Sequence, residues 1–467
     1  MKSLYERRRN SVYMRVGAGT ILAIIVWTLF GLVPVCSPDD PDCGISFPSP
    51  QFENDWMEEP MAGVVHEGPM AFEKEETVEQ ASLGDQRPTR SAFVSTSPVP
   101  EERPQAVGET TFLAHAPGFS VIETAFWKND TWYLITSKPW SVPPMSLVVS
   151  NAPDHGQKIF TDDSVVQVMT PKQAEESGLE LDKAEAVDGT SLIFNDRIYL
   201  DHYYHVFGEM FLGAWRAYTS ILTGSGPAID RLPEITNLVF AHVTPKTVFD
   251  HAGLNKFFFR RFFPEARWEF QPEWQARAES GKLYRFERVV IADRKCGHAG
   301  GGKGKPMDLA FELPVPERWL TDLKDRVLVN YTGTVTLQDH QHAYSKPVVT
   351  YLSRQTAGHR RLRQETHEAL VEGLAELEEE GVAEVHIEEF TDADPKDEQV
   401  AKLSRTTILV GLHGNGLTNL VWMTPDARGR STVYEIQQKG MFLDDYAVLS
   451  EAVGIEHCII GGRNETE

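Results

Sequence analysis

A histidine, two glycines and three amide or hydroxyl side chains interrupt the apolar stretch LVGLHGNGLTNLVWM between Leu409 and Met423. Gly414 and Gly416 let the backbone approach a ligand closely or adopt positive φ, and His413, Asn415, Thr418 and Asn419 offer donors around Leu417. Binding of a phosphate or diphosphate is the chemistry such a loop can perform; a plain turn is the other reading. A second cluster, SRQTAGHRR, contains Ser353, Arg354, Arg360 and Arg361. Guanidinium forks pair bidentately with phosphate oxygens, although charge solvated on a helix and paired with Glu365 and Glu368 is the alternative. Arg354 is favoured because it stands at a strand end.

The third cluster is DHYYHVFGEMFLGAW. His205 and Glu209 are four residues apart and share a face of a helix, and Asp201 lies four residues earlier. A carboxylate or histidine so placed can take a proton from a hydroxyl, with Glu209, His205 and Asp201 as candidates. A structural His205–Glu209 pair is the competing reading, and the spacing does not match the His-Glu-x-x-His zinc pattern. Glu435, in YEIQ, stands near the carboxyl end of a strand, where it can accept from ribose hydroxyls or be an exposed loop acid. Asp445 is a weaker candidate of the same kind.

These residues need strands and helices to hold them. In the second half, PVVTYLSR, VAEVHIEEF, TILVGLHG, STVYEIQ and EHCII read as strands, separated by helical segments such as RRLRQETHEALVEGLAELEE. That alternation predicts a parallel sheet covered on both faces, a Rossmann-like unit over 326–467. Upstream, FSVIETAFWKNDTWYLITS reads as two strands around an Asn-Asp turn, and Tyr203 to Leu222 as a helix. LNKFFFRRFF is a helix or a ligand-flanking segment, and residues 108–325 form a first α/β domain.

Composition limits the function. The 467 residues carry 45 basic and 68 acidic side chains, net −23, which argues against nucleic-acid binding. The run VGAGTILAIIVWTLFGLVPV, Val16 to Val35, has no charge, and about 20 residues suffice to cross a bilayer as a helix. Arg7, Arg8, Arg9 and Arg15 precede it and Asp39, Asp40 and Asp42 follow, so the positive-inside bias makes it a signal anchor; a cleaved signal peptide competes. Residues 1–15 are then a cytosolic tail and 36–107, rich in Pro, Glu, Ser and Gly, a flexible stem. Sequons at Asn129, Asn330 and Asn464 fit a lumenal body. A Cys296–Cys458 disulfide and a pair of free thiols are equally compatible with the spacing.

TILVGLHGNGLTNLVWM followed by TVYEI, with YLSR and HRRLRQE upstream and YYHVFGEMF before them, resembles the family 61 glycosyltransferases over roughly residues 110 to 460. The resemblance implies an α/β, GT-B-like enzyme with two Rossmann-like domains facing a cleft. It also implies inverting transfer from a UDP-sugar, with N-acetylglucosamine or xylose as the sugar, to a glycoprotein or polysaccharide acceptor in the endoplasmic reticulum or Golgi. On that likeness Ser353-Arg354 and the HGNGLTN loop contact the donor, and the YYH helix lies on the acceptor side. Many members have alanine at Asn415 and aspartate at Glu209. The acidic DADPKDE at 392–398 reads as a loop before a helix and not as an Asp-x-Asp metal triplet, so metal-independent chemistry is expected, with no tightly bound cofactor. A catalytically silent glycan-binding protein of the same fold is the alternative; a dinucleotide oxidoreductase lacks its Gly-x-Gly-x-x-Gly turn.

Overall fold

Thirteen strands in the described residues make two sheets. The first contains β1 (Thr111–Ala116), β2 (Phe119–Lys128), β3 (Thr131–Ile135), β4 (Val166–Met169), β5 (Glu185–Phe194), β6 (Ile235–Phe240), β7 (Arg267–Phe270) and β8 (Tyr284–Ala292). Its order is β4-β3-β2-β8-β5-β6-β7, with β1 beside β2. Asn129 and Asp130 join β2 to β3 at φ 52° and 61°, the left-handed pair that a two-residue hairpin loop requires. The computed structural model describes residues 108–154, 156–223, 231–246, 249–301, 304–332, 346–357, 360–424, 431–437 and 443–460. These belong to one compact unit.

Strands β8, β5, β6 and β7 are mutually parallel, whereas β2 joins β8 antiparallel and carries β1 and β3. The first sheet is thus a parallel α/β core with an antiparallel extension, more mixed than the Rossmann-like unit expected. Within the extension β2 and β3 run antiparallel because a two-residue loop can only reverse the chain.

The second sheet is wholly parallel: β9 (Val348–Leu352), β10 (Glu384–Glu388), β11 (Ile408–Leu412), β12 (Thr432–Ile436) and β13 (Glu456–Ile460), in the order β10-β9-β11-β12-β13. Every residue of VVTYL, ILVGL and TVYEI is buried, as expected of central strands covered on both faces. Chain order reverses direction between β9 and β11, which makes their carboxyl ends the switch point of a doubly wound sheet, where such folds bind ligands.

Seven helices matter to the site: α1 (Leu212–Ser220), α2 (Leu254–Phe262), α3 (Arg294–Ala299), α4 (Thr321–Thr332), α5 (Gln364–Glu379), α6 (Lys396–Ser404) and α7 (Asp445–Ala452). In α5 the residues Leu370, Gly373, Leu374 and Leu377 form the buried stripe, at helical spacing. Helix α4 runs through the 325/326 junction expected between domains and packs on both α2 and α6. FFFRRFF is core: Phe258, Phe259 and Phe262 are fully buried, and Phe258 lies 4.5 Å from Trp422 between ring centroids. One apolar cluster runs from Phe119, Phe194 and Phe240 in the first sheet to Leu409 and Val433 in the second. Each such aromatic contributes about 2 kcal/mol by leaving water, so the two sheets share a core.

The single helix expected over Tyr203 to Leu222 is divided: Tyr204–Phe211 is a π-helix and α1 follows it. Gly208, a weak α-helix former, sits at the middle of the wide turn. Cys296 and Cys458 are free thiols, unbridged. Asn129 is exposed on its turn. Among the described residues no helix is long and apolar enough to cross a membrane. The tail 1–15, the anchor at 16–35, the stem 36–107 and the sequon at Asn464 lie outside the described residues, as does the Asn330 side chain.

Candidate active site

The switch point places Arg354, just past β9, against His413, just past β11. Arg354 Nη1 donates to the His413 carbonyl at 3.1 Å, and Arg360 Nη1 approaches the same oxygen at 3.5 Å. Gly414 is what admits the guanidinium. A Cβ built there would lie 1.8 Å from Arg354 Nη1, at a backbone φ of +155° that side chains rarely adopt. Burial and the nearby Arg360 charge both lower the Arg354 pKa. Among the described residues neither arginine has a carboxylate within ion-pairing distance. Two such cations in an acidic chain, one half-buried, leave an uncompensated anion site.

Ser353 is fixed by the end of β10: its amide donates to the Glu388 carbonyl at 2.8 Å and its hydroxyl to Glu389 at 3.3 Å. Beyond Gly414, Asn415–Trp422 is a 3-10 helix whose first bond runs from the Leu417 amide to the Gly414 carbonyl at 2.9 Å. The amides of Asn415 and Gly416 precede that bond and have no acceptor within the helix. Leu417, Thr418 and Asn419, offered by the sequence as loop ligands, are turned into the core. Asn419 accepts from the Tyr203 hydroxyl at 3.3 Å.

In the first sheet β5 and β8 are parallel neighbours, so Asp196 and Arg294 stand beyond adjacent carboxyl ends. The Arg294 amide donates to Asp196 at 3.0 Å, and its Nη1 to Glu209 Oε2 at 2.9 Å. The same Oε2 is 2.6 Å from His205 Nδ1. Burial pushes the Glu209 carboxyl up, but the hydrogen bond from His205 and the Arg294 guanidinium outweigh it and hold the pKa at about 2. An ionised carboxylate has no proton to give, so Nδ1 carries the hydrogen and the approach of Arg294 Nη1 to Nδ1, 3.2 Å, is one of two donors converging on Oε2. His205 therefore presents Nε2 as its basic nitrogen. Tyr199, at φ 64°, lies under the Arg294 guanidinium with 4.5 Å to the ring centroid. Asp201 is exposed on the turn before the helix.

Asp196 behaves oppositely to Glu209. Burial first, and then the charge of Asp293, push its pKa up to about 7 despite Arg294. A carboxyl raised in the folded state contributes stability that is present at low pH and is lost as pH rises through about 4 to about 7. Asp196→Asn keeps an acceptor for the Arg294 amide and removes the charge. It should melt roughly 3 °C or more above the wild type at pH 8, with a margin that shrinks towards pH 4. A constant margin across that range, measured by thermal melts, would refute the assignment.

The two sets meet. Asn415 Oδ1 accepts from the Tyr204 amide at 2.9 Å, and the Tyr204 hydroxyl donates to the Asp445 carbonyl at 3.1 Å. Lys305 pairs with Asp445 and, at 3.5 Å, with Asp444. Asp445 Oδ2 is 3.6 Å from His413 Nε2. Glu435 is not open to a ribose: it is fully buried, with Oε1 2.5 Å from His413 Nδ1 and Oε2 2.8 Å from His457 Nε2. Burial opposes its ionisation, but the hydrogen bonds from His413 and His457 prevail and its pKa is lowered. Arg360 reaches the loop, and Arg361 is exposed on the way into α5. Arg294, Lys305 and His457 carry no motif; the one signal for Arg294 was an Asp-Arg pair ending the apolar run YRFERVVIAD.

Two α/β sheets whose strand ends bring together cations, a glycine loop and a carboxylate-bound histidine fit a Rossmann-like transferase. The chain belongs to glycosyltransferase family 61: the family model described as Glycosyltransferase 61 matches residues 160–429. That span includes the His205 helix, Arg294, Arg354 and the His413–Asn419 loop, and ends before Glu435 and Asp445. Comparison with curated proteins gives no match.

Proposed function

We propose that this protein is an inverting glycosyltransferase of GT-B-like organisation. It moves N-acetylglucosamine or xylose from a UDP-sugar to a hydroxyl of a glycoprotein or glycan. The observation that carries this reading is the pair of arginines at the switch point, without a carboxylate partner among the described residues, held beside the His205–Glu209–Arg294 group through Asn415 and Tyr204. The acceptor hydroxyl gives its proton to His205 Nε2 as its oxygen attacks the anomeric carbon. The bond from that carbon to the phosphate oxygen breaks, and UDP leaves with the electron pair. Arg354, Arg360 and the amides of Asn415 and Gly416 stabilise the departing diphosphate, and Glu209 stabilises the imidazolium. In this scheme the arginines supply the positive charge that a divalent cation supplies in metal-assisted transfer. Glu435 acts through His413, by orienting it. We place the folded body in the lumen of the Golgi or endoplasmic reticulum, tethered by residues 16–35.

The test is a donor screen on the purified lumenal portion, with UDP-N-acetylglucosamine, UDP-xylose, UDP-arabinofuranose and GDP-mannose. Hydrolysis and thermal stabilisation are read with and without EDTA. A UDP-sugar should be hydrolysed slowly and raise Tm, with EDTA making no difference. Silence with every donor would sink the transferase reading, stabilisation without turnover would favour a binding protein, and loss of activity in EDTA would overturn the metal-free scheme.

A further inference from the structure

The π-helix that carries His205 begins with an amide its own segment does not satisfy. The first N–H groups of any helix lack intrahelical acceptors, and the residue before this one, Tyr203, has helical backbone and provides no side-chain cap. Its hydroxyl is committed elsewhere, accepting from Trp422 Nε1 at 3.3 Å and bonded to Asn419. The Tyr204 amide is met instead by Asn415, which lies 211 positions along the chain. Because a backbone N–H can only donate, the Asn415 atom 2.9 Å away is its carbonyl oxygen, which fixes the orientation of the side-chain amide. Tyr204 is also held at its far end by the Asp445 carbonyl.

We infer that Asn415 is a positioning residue: it caps the His205 helix in trans and couples the glycine loop to the proton acceptor. His205 immediately follows the capped residue, and Asn415 immediately follows Gly414, against which Arg354 packs. A ligand that orders the loop therefore orders the first turn of the His205 helix, through one hydrogen bond. The capping itself stands on geometry, whereas its consequence for turnover rests on the proposed UDP-sugar reading.

Hydrogen exchange separates the two. In the full chain, Asn415→Ala should speed exchange of amides in peptides covering 203–211 by about fivefold or more, the scale of a lost cap. Asn415→Asp, which keeps an acceptor oxygen at a helix N-terminus, should leave exchange near the wild-type rate. Added UDP should slow exchange of the same peptides in wild type and not in Asn415→Ala. For turnover, Asn415→Ala should lower kcat about tenfold with UDP affinity within about twofold, because the base and not the donor is displaced. Unchanged exchange in Asn415→Ala would overturn the cap. A tenfold weaker UDP affinity with kcat intact would overturn positioning and make Asn415 a donor ligand. If UDP protects no peptide of the wild type, the UDP-sugar reading fails, while the exchange difference between wild type and Asn415→Ala still decides the cap.

Discussion

His205→Ala is expected to lower kcat by about 10³-fold, the range of a lost general base, while UDP affinity stays within about twofold. Glu209 cannot take over. Its carboxyl is 3% exposed and held at about 2, too weak a base to accept a proton at neutral pH and closed to an acceptor. Asp201 is exposed on its turn, and among the described residues no hydrogen bond or ion pair ties it to His205 or Arg294. The role left to Glu209 is to keep the Nδ1 hydrogen in place and to balance the imidazolium, so Glu209→Gln should lose much of kcat as well. Folding stability gives an independent check on the carboxylate. A pKa depressed from 4.5 to about 2 contributes stability that is present above 4.5 and is lost as pH falls towards 2. The contribution is about 3 kcal/mol, and Glu209→Gln should lack this pH dependence. Kinetics with calorimetric UDP binding, and urea melts between pH 2 and pH 6, check both parts; near-normal turnover in His205→Ala would move the base elsewhere.

The second large effect concerns a residue with no side chain. Gly414→Ala is expected to weaken UDP binding as much as Arg354→Ala does, about 10- to 100-fold, the scale of a lost hydrogen bond to a charged group. The new Cβ would overlap Arg354 Nη1 at 1.8 Å and stand 3.0 Å from its Cζ. The guanidinium is the flexible tip of a long side chain, so the fold should survive and the clamp should swing away. Both substitutions then remove one interaction, and the double variant should bind UDP no worse than either single one. Additive losses, or wild-type affinity in Gly414→Ala, would separate the glycine from the arginine and refute the close-approach argument.

How much of this was legible in the sequence can be argued from single residues. VVTYL, ILVGL and TVYEI read as buried strands because uninterrupted apolar runs between charged helical segments have few other solutions. Gly414 and Arg354 stood out because each follows such a strand. The His205–Glu209 pair was visible as a four-residue spacing, although the π-helical turn that carries it was not, since helical periodicity in a short window does not distinguish the two.

Glu435 shows where a strand pattern stops being informative. The sequence put a carboxylate near the end of a strand; whether it meets a ligand depends on the neighbouring strand, and the β12–β13 pairing sets His457 beside it. Arg294 is the same case from the other side: the Asp-Arg pair of DRKC names no partner for it until the fold sets the end of β8 beside the helix that carries Glu209, 2.9 Å away. Thr418 and Asn419, polar in a glycine loop, were expected at the ligand and are packed inside, because the 3-10 helix buries both and turns Asn419 to the Tyr203 hydroxyl. Local pattern and spacing thus determined the strands and the glycine loop, and the resemblance of its motifs pointed to the family. Only the tertiary structure decided that Glu209 meets Arg294 and what Asn415 and Glu435 bond to, because a hydrogen bond depends on a few tenths of an ångström between segments that are 22 to 211 residues apart.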